Sequence, residues 1–222
     1  GERMLLTNRT PEKAEALAAV LGAKVGTNLQ AAAACEYIFL GVKPQMLPAL
    51  LDELRPALQA RTDRFILVSM AAGVRTGTIR QALGLDCPVV RIMPNLPVAS
   101  GTGVVLLSPG AQVTEDELCE LERLLQAAGL LMRMPEGQID AGSAVSGCGG
   151  AFACLFMEAL ADGAVTCGLP RAKANTFAAQ MLLGAAQLAL ESGKPFGQMK
   201  DEVCSPGGTT IAGVRALEEG GL

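Results

Sequence analysis

The sequence predicts two domains, an α/β domain over residues 1–134 and an all-α domain over residues 135–222. Up to residue 134, short runs of aliphatic and β-branched residues alternate with helical patterns. This alternation is typical of a sheet, at least partly parallel, that helices cover. From residue 135 onward, long alanine-rich segments follow without any strand pattern, which predicts helices alone.

The elements of the first domain can be placed individually. A helix is predicted over Pro11–Leu21, with Thr10 as its N-cap and proline at the favoured first position. A capping box at Thr114–Glu117 begins a helix predicted over Glu115–Ala128, which Gly129 ends. The predicted strands are the apolar runs Met4–Thr7, Ala23–Val25, Tyr37–Leu40, Phe65–Val68, Val89–Ile92, Val104–Leu107 and Leu130–Met132.

The second domain predicts a dimer. Its two long helices, Ala151–Val165 and Arg171–Glu191, are separated by Gly168-Leu169-Pro170 and are apolar on more than one face. A small helical domain with so much apolar surface usually buries it against another copy. We therefore expect a homodimer through this half, with a higher oligomer of dimers left open. In the alternative, the helices pack back onto the α/β domain.

Composition narrows the class of function. A net charge of −4, no basic run and no Trp argue against nucleic acid as a partner. No apolar run reaches the roughly 18 residues of a membrane span, so no membrane partner is expected. Without His, and with seven cysteines that form no C-x-x-C pair, we expect no metal site. These features predict a cytoplasmic enzyme that acts on a small molecule.

The first predicted strand runs into the polar turn Asn8-Arg9-Thr10. In dinucleotide-binding folds, an Arg at the end of the second strand accommodates the 2′-phosphate of NADP, whereas NAD enzymes place a carboxylate there. A solvated Arg on a capped turn is an equally valid interpretation. If this strand is the second, the glycine-rich turn lies roughly 20 residues earlier. The sequence therefore predicts a Rossmann-type domain whose first β-α unit precedes residue 1.

Three further strand ends carry small or rigid residues where open α/β sheets bind ligands. They are Gly41-Val42-Lys43-Pro44, Met70-Ala71-Ala72, and Asn95 between two prolines. Each is individually compatible with an ordinary loop, but together they predict one ligand. In the second domain, Pro206-Gly207-Gly208 leads into Thr209, Thr210 and a helical stretch over Ile211–Glu218. This arrangement predicts an anion-binding nest of backbone N–H groups or, alternatively, a plain capped turn.

Together these segments strongly resemble the pyrroline-5-carboxylate reductases, which catalyse the last step of proline biosynthesis. The resemblance spans essentially the whole chain. It rests on FLGVKPQ (39–45), MAAGV (70–74), RIMPNLPVASG (91–101), SGCGGAF (146–152), EALADGAVTCGLP (158–170) and KDEVCSPGGTTIAG (200–213). The family's fold continues past Leu222. The chain departs from the family's S-G-S-G-P-A-Y at 146–152, and has Cys148 and Cys204 where Ser is frequent.

The resemblance implies reduction of 1-pyrroline-5-carboxylate to L-proline with NADPH, or NADH as the alternative. It implies cofactor contacts from Asn8, Arg9, Asn28, Gly41, Val42, Lys43, Pro44, Met70, Ala71 and Ala72, to which we add Asn95. The implied substrate contacts are Val203, Ser205, Gly207, Gly208, Thr209 and Thr210. Thr210 is the implied catalytic residue, as an orienting donor to the ring nitrogen, in a pocket that a second subunit completes. Two rivals remain: a related NADP-dependent dehydrogenase acting on another substrate, and a non-catalytic NADP-binding paralogue.

Overall fold

The computed structural model describes residues 1–222, which form two compact units, Gly1–Gly150 and Ala151–Leu222. All strands lie in the first unit. The last of them ends at Arg133, close to the predicted domain boundary after residue 134. The compact unit nevertheless extends to Gly150, because Glu136, Asp140 and Ser146 bond to residues of the sheet domain.

The first unit alternates strands and helices, as the sequence predicts. Its strands are β1 Leu5–Leu6, β2 Lys24–Val25, β3 Tyr37–Leu40, β4 Ile66–Ser69, β5 Val89–Pro94, β6 Gly103–Pro109 and β7 Gly129–Arg133. Its helices are α1 Pro11–Leu21, α2 Asn28–Ala34, α3 Leu47–Gln59, α4 Thr76–Leu83, α5 Glu115–Leu125 and α6 Ile139–Ser143. A π-helical turn over Ala144–Cys148 follows α6.

Two sheets form in this unit. A five-stranded sheet has the order β3-β4-β5-β6-β7, and β1 pairs with β2 in a separate two-stranded sheet. Within the larger sheet, β3, β4 and β5 run parallel, β6 is antiparallel to β5, and β7 is parallel to β6. The predicted partly parallel sheet is confirmed.

Burial is greatest at β4, whose four residues are all buried between β3 and β5. The edge strand β3 is less completely buried than β4. Its residues alternate, and Phe39 is 42% exposed. The difference follows from position, because an edge strand of a twisted sheet is only partly covered by the helices.

Two local predictions need adjustment. The helix α1 has its predicted bounds, but the Thr10 side chain makes no capping bond. The capping box of α5 is confirmed, since Thr114 Oγ1 accepts from the Glu117 N–H (3.3 Å) and the Thr114 N–H donates to Glu117 Oε2 (2.8 Å). The α-helix then ends at Leu125 rather than Ala128. A tighter 3-10 turn over Gln126–Ala128 follows, as is frequent at helix C-termini.

The second unit is entirely helical, with most of α7 Gly149–Thr166 and the helices α8 Arg171–Ser192, α9 Phe196–Val203 and α10 Thr209–Glu219. Its only buried residues are Ala161, Ala174 and Ala178. Larger apolar side chains are exposed, among them Phe152, Leu155, Phe177, Leu183, Leu188 and Phe196.

One helical run meets the length and composition of a membrane span. It covers Glu136–Thr166, and only 6% of its most apolar window is buried. The predicted absence of a membrane partner therefore stays a prediction.

Candidate functional site

The parallel strands β3, β4 and β5 bring three predicted segments to one edge of the sheet. Leu40 lies opposite Ser69, and Ser69 lies opposite Arg91, so β3 and β4 end at the same level and β5 continues to Pro94. The segments 41–44 and 70–72 and Asn95 therefore emerge at the edge where open α/β sheets bind ligands.

This edge is shaped by small residues. A Cβ added to Gly41 would lie 3.1 Å from Met70 Cε, so any larger residue there would crowd the Met70 side chain. Ala71 is fully buried, and its N–H donates to Ser69 Oγ (3.3 Å). Lys43 is exposed and forms no ion pair, which leaves its ammonium available for an anion. Small residues and an unpaired ammonium at this edge are suited to a flat ligand that carries a negative charge.

The turn after β1 offers a second cation. The Thr10 N–H donates to Asn8 Oδ1 (2.9 Å), so the Asn8 side chain shapes the turn. Arg9 between them is exposed and forms neither an ion pair nor a hydrogen bond. A guanidinium held on a local turn without a carboxylate partner suits a phosphate group.

Asn28 and Asn95 are both engaged by the protein. Asn28 Nδ2 donates to Glu53 Oε2 (3.1 Å), which ties the start of α2 to α3. Asn95 Oδ1 accepts from the Val104 N–H (2.8 Å), and its Nδ2 donates to the Ser146 carbonyl (2.9 Å). Two of the predicted cofactor residues therefore already have internal partners, and Asn95 supports the chain around it.

Sequence reasoning missed three charged residues, Glu136, Arg91 and Asp140, that join residues 136–140 to α4 and to the sheet. Glu136 accepts from the Thr76 N–H (2.6 Å), and Arg91 Nη2 donates to Asp140 Oδ1 (2.6 Å). An Arg within the apolar run Val89–Ile92 is unusual, because charged residues are rarely fully buried unless paired. Arg91 in this apolar run was therefore the one indication in the sequence that a buried ion pair is present.

In the second unit, the region between α9 and α10 differs from the predicted substrate site in two respects. Val203 belongs to α9 rather than to the turn. The Gly208 N–H donates to the Ser205 carbonyl (3.0 Å), so it is not free for an anion. Gly207 has φ +67°, which the turn needs and which favours glycine.

The free donors of this turn lie at the start of α10. The first N–H groups of any α-helix have no intrahelical partner, and here no side chain caps them. The Ser205 and Thr210 side chains are exposed, and their hydroxyls make no hydrogen bond within the protein. One helix earlier, Lys194 Nζ donates to Glu202 (2.8 Å), which lowers the pKa of Glu202 and pairs its charge. A cluster of free donors of this kind suits a carboxylate.

Two family models match the chain. The pyrroline-5-carboxylate reductase dimerisation domain matches residues 136–222, and the coenzyme F420-dependent NADP oxidoreductase domain matches residues 1–73. Pyrroline-5-carboxylate reductase 3 of Macaca fascicularis is 40% identical over 196 residues, which cover 88% of this chain and 70% of the relative. The chain spans 63% of the length of two further vertebrate relatives.

Solved structures agree. A pyrroline-5-carboxylate reductase from Coxiella burnetii is 33% identical to this chain and has a TM-score of 0.86. The match includes 97% of this chain and 80% of the Coxiella chain. The Plasmodium falciparum pyrroline carboxylate reductase with NADP bound is 26% identical. The match includes 97% of this chain and 79% of the Plasmodium chain, with a TM-score of 0.85.

Proposed function

Because the chain belongs to the pyrroline-5-carboxylate reductase family of NAD(P)H-dependent oxidoreductases, we propose that its first unit holds NADPH and its second unit holds the imine substrate. The family's reaction is the reduction of 1-pyrroline-5-carboxylate to L-proline, which completes proline biosynthesis. The observation that carries the substrate assignment is the set of free hydroxyl and N–H donors between Ser205 and Thr210.

The residues of the first unit fit the cofactor. We assign Arg9 to the 2′-phosphate, since it is a cation without an internal partner. Asn8 and Asn28 would border the same part of the cofactor, while Gly41–Pro44 and Met70–Ala72 line the strand ends. A Cβ at residue 41 would lie 3.1 Å from Met70 Cε, so a side chain there would reduce the space beside Met70 that a ring would need. NADPH, when bound, supplies the hydride.

The second unit would orient the acceptor. Ser205, Gly207 and the free N–H groups at the start of α10 hold the substrate carboxylate, with Val203, Gly208 and Thr209 shaping the turn. The Thr210 hydroxyl donates to the ring nitrogen. A Thr hydroxyl is too weak an acid to protonate the imine, so solvent supplies the proton and Thr210 orients the ring. When the carboxylate and the ring nitrogen are both held, the imine carbon has a single orientation towards the cofactor. This lowers the entropic part of the activation free energy for hydride transfer.

The direct test is to follow NADPH oxidation by the full chain with 1-pyrroline-5-carboxylate and to identify proline as the product. NADPH binding without turnover would favour the non-catalytic paralogue instead. Turnover of other imines or hydroxyacids, but not of this substrate, would favour the related dehydrogenase. Repeating the assay with NADH measures the cofactor preference.

The chain forms a dimer through its helical half, as the matched dimerisation domain indicates. A higher oligomer of dimers extends the proposal and can be read from the same sedimentation run. We propose that the protein is soluble. Its location in the cytoplasm and the absence of a membrane partner also belong to the proposal.

A further inference from the structure

Residues 136–146, which we term the anchor segment, are tied to the rest of the first unit by three separate polar contacts. The first contact is Glu136, whose carboxylate accepts from the Thr76 N–H (2.6 Å) and from the Thr76 hydroxyl (3.3 Å). Thr76 begins α4, and Arg75 before it provides no side-chain cap. A carboxylate from 60 residues away therefore caps this helix, at the end where negative charge is favoured.

The second contact lies on β5. Arg91 is 1% exposed, and its Nη2 donates to Asp140 Oδ1 (2.6 Å), while its Nε has no hydrogen-bond partner. Asp140 is 70% exposed, so the pair joins a buried cation to a carboxylate at the surface. Burying a guanidinium is unfavourable unless it is well paired. Its presence in an otherwise apolar strand calls for a role beyond packing.

The third contact fixes the end of the segment. Asn95, directly after β5, donates from Nδ2 to the Ser146 carbonyl (2.9 Å). Ser146 lies inside the π-helical turn Ala144–Cys148, and such turns occur frequently at functional sites. Gly149 and Gly150 follow it with open space beside them, so backbone is accessible there. The contacts therefore place a glycine-bordered π turn next to the end of β5.

We infer that Arg91 and Asp140 are positioning residues of the reductase. They hold the anchor segment so that the turn Ala144–Cys148 stays beside the strand ends where the cofactor is proposed to bind. This inference rests on the proposed function. Neither residue needs to touch a reactant. The hydrogen bond between Asn95 and Ser146 links the turn Ala144–Cys148 directly to the end of β5. A displacement of about 1 Å at such a site can lower a rate a hundredfold.

The test compares Asp140→Asn with Asp86→Asn in the full chain. Asp86 is a matched control, since it is 79% exposed and also pairs with an Arg, Arg80, at 2.8 Å. For Asp140→Asn we expect kcat to fall roughly tenfold to a hundredfold, while the NADPH Kd and the dimer remain unchanged. Asp140→Glu keeps the charge and should recover part of the loss. Asp86→Asn should match the wild type.

A second readout does not depend on turnover. Amide hydrogen exchange of residues 144–148, measured without cofactor, should become about tenfold faster in Asp140→Asn, because one tie of the segment is lost. Unchanged kcat in Asp140→Asn overturns the inference, whatever the exchange rates show. An inactive wild type with the expected exchange difference would instead refute the proposed function. Arg91→Lys retains the charge but not the planar guanidinium group. Its kcat should lie between that of the wild type and that of Asp140→Asn.

Discussion

The two units differ in how they bury apolar surface. The first unit has large fully buried side chains, including Leu40, Ile66, Leu67, Ile79 and Leu107, whereas the second buries only three alanines. On its helices, Phe177 is 59% exposed and Leu183 is 57% exposed. The sheet unit therefore has a core of its own, while the helical unit lacks the large buried side chains that stabilise an isolated domain.

This difference indicates that the stability of the second unit depends on the other subunit of the dimer. Burying a Leu or Phe side chain contributes about 1.5–3 kcal/mol, and the exposed apolar residues of α7 and α8 forgo that contribution in the single chain. Because this half matches a dimerisation domain, we expect burial of these side chains in the dimer to supply the stabilisation. Assembly and folding of this half should accordingly be inseparable, in contrast to the first unit.

The sharpest test of this contrast places a charge on the exposed apolar surface of α8. We expect the exposed Leu183 to be covered in the dimer, so Leu183→Glu should bury an unpaired carboxylate, weaken the dimer on the order of a thousandfold and abolish activity. Sedimentation measures the dimer. The matched control is Val20→Glu on α1, where Val20 is 81% exposed in the first unit. A Leu183→Glu protein that stays dimeric would contradict the dependence.

The next test separates the chemical roles of the two units. Thr210→Ala should lower kcat/KM for the imine roughly tenfold to a hundredfold, since the ring nitrogen loses its hydrogen-bond donor. NADPH binding should be unaffected, as measured by fluorescence titration. Thr176→Ala, at an exposed position of α8, is the control. Unaltered turnover in Thr210→Ala would rule out the role of its hydroxyl.

The complementary change lies in the first unit. Arg9→Ala should raise the KM for NADPH about tenfold through loss of a charge-assisted hydrogen bond, with little change in the KM for NADH or for the imine. Arg3→Ala provides the control, because Arg3 is exposed and also forms no ion pair. Equal losses with NADPH and NADH would show that Arg9 does not contact the 2′-phosphate.

The smallest expected effect concerns the stability of the first unit alone. Arg64 donates to both oxygens of Glu117, and this pairing lowers the pKa of Glu117 to about 2. The carboxylate therefore stabilises the fold above pH 4.5, its ordinary value, and loses that contribution as the pH falls towards 2.

Glu117→Gln should lower the free energy of unfolding at pH 7 by about 1 kcal/mol, a modest value because the pair lies near the surface. The difference from wild type should shrink between pH 4.5 and pH 2. Urea unfolding at several pH values measures it, with Asp116→Asn in the same helical turn as the control. A difference that is constant with pH would exclude the ion pair as its source.

The sequence predicted those features that local patterns encode. The bounds of α1 and the capping box of α5 depend on residues within a few positions of each other. The ties of Arg91 to Asp140 and of Glu136 to Thr76 join residues 49 and 60 positions apart, which no local pattern reveals. The use of Asn95 as a support was missed for the same reason, since its partner Ser146 lies in another element.

The single antiparallel pair of the larger sheet has a consequence for the order of folding. The strands β5 and β6 are joined by residues 95–102, whereas β4 and β5 pair only after a crossover through α4. Short chain closures cost little entropy and occur fast, and parallel pairings with long separations are slower. The β5–β6 hairpin should thus nucleate the sheet, and the strand ends that we assign to the cofactor should be completed only when β3 and β4 add to it.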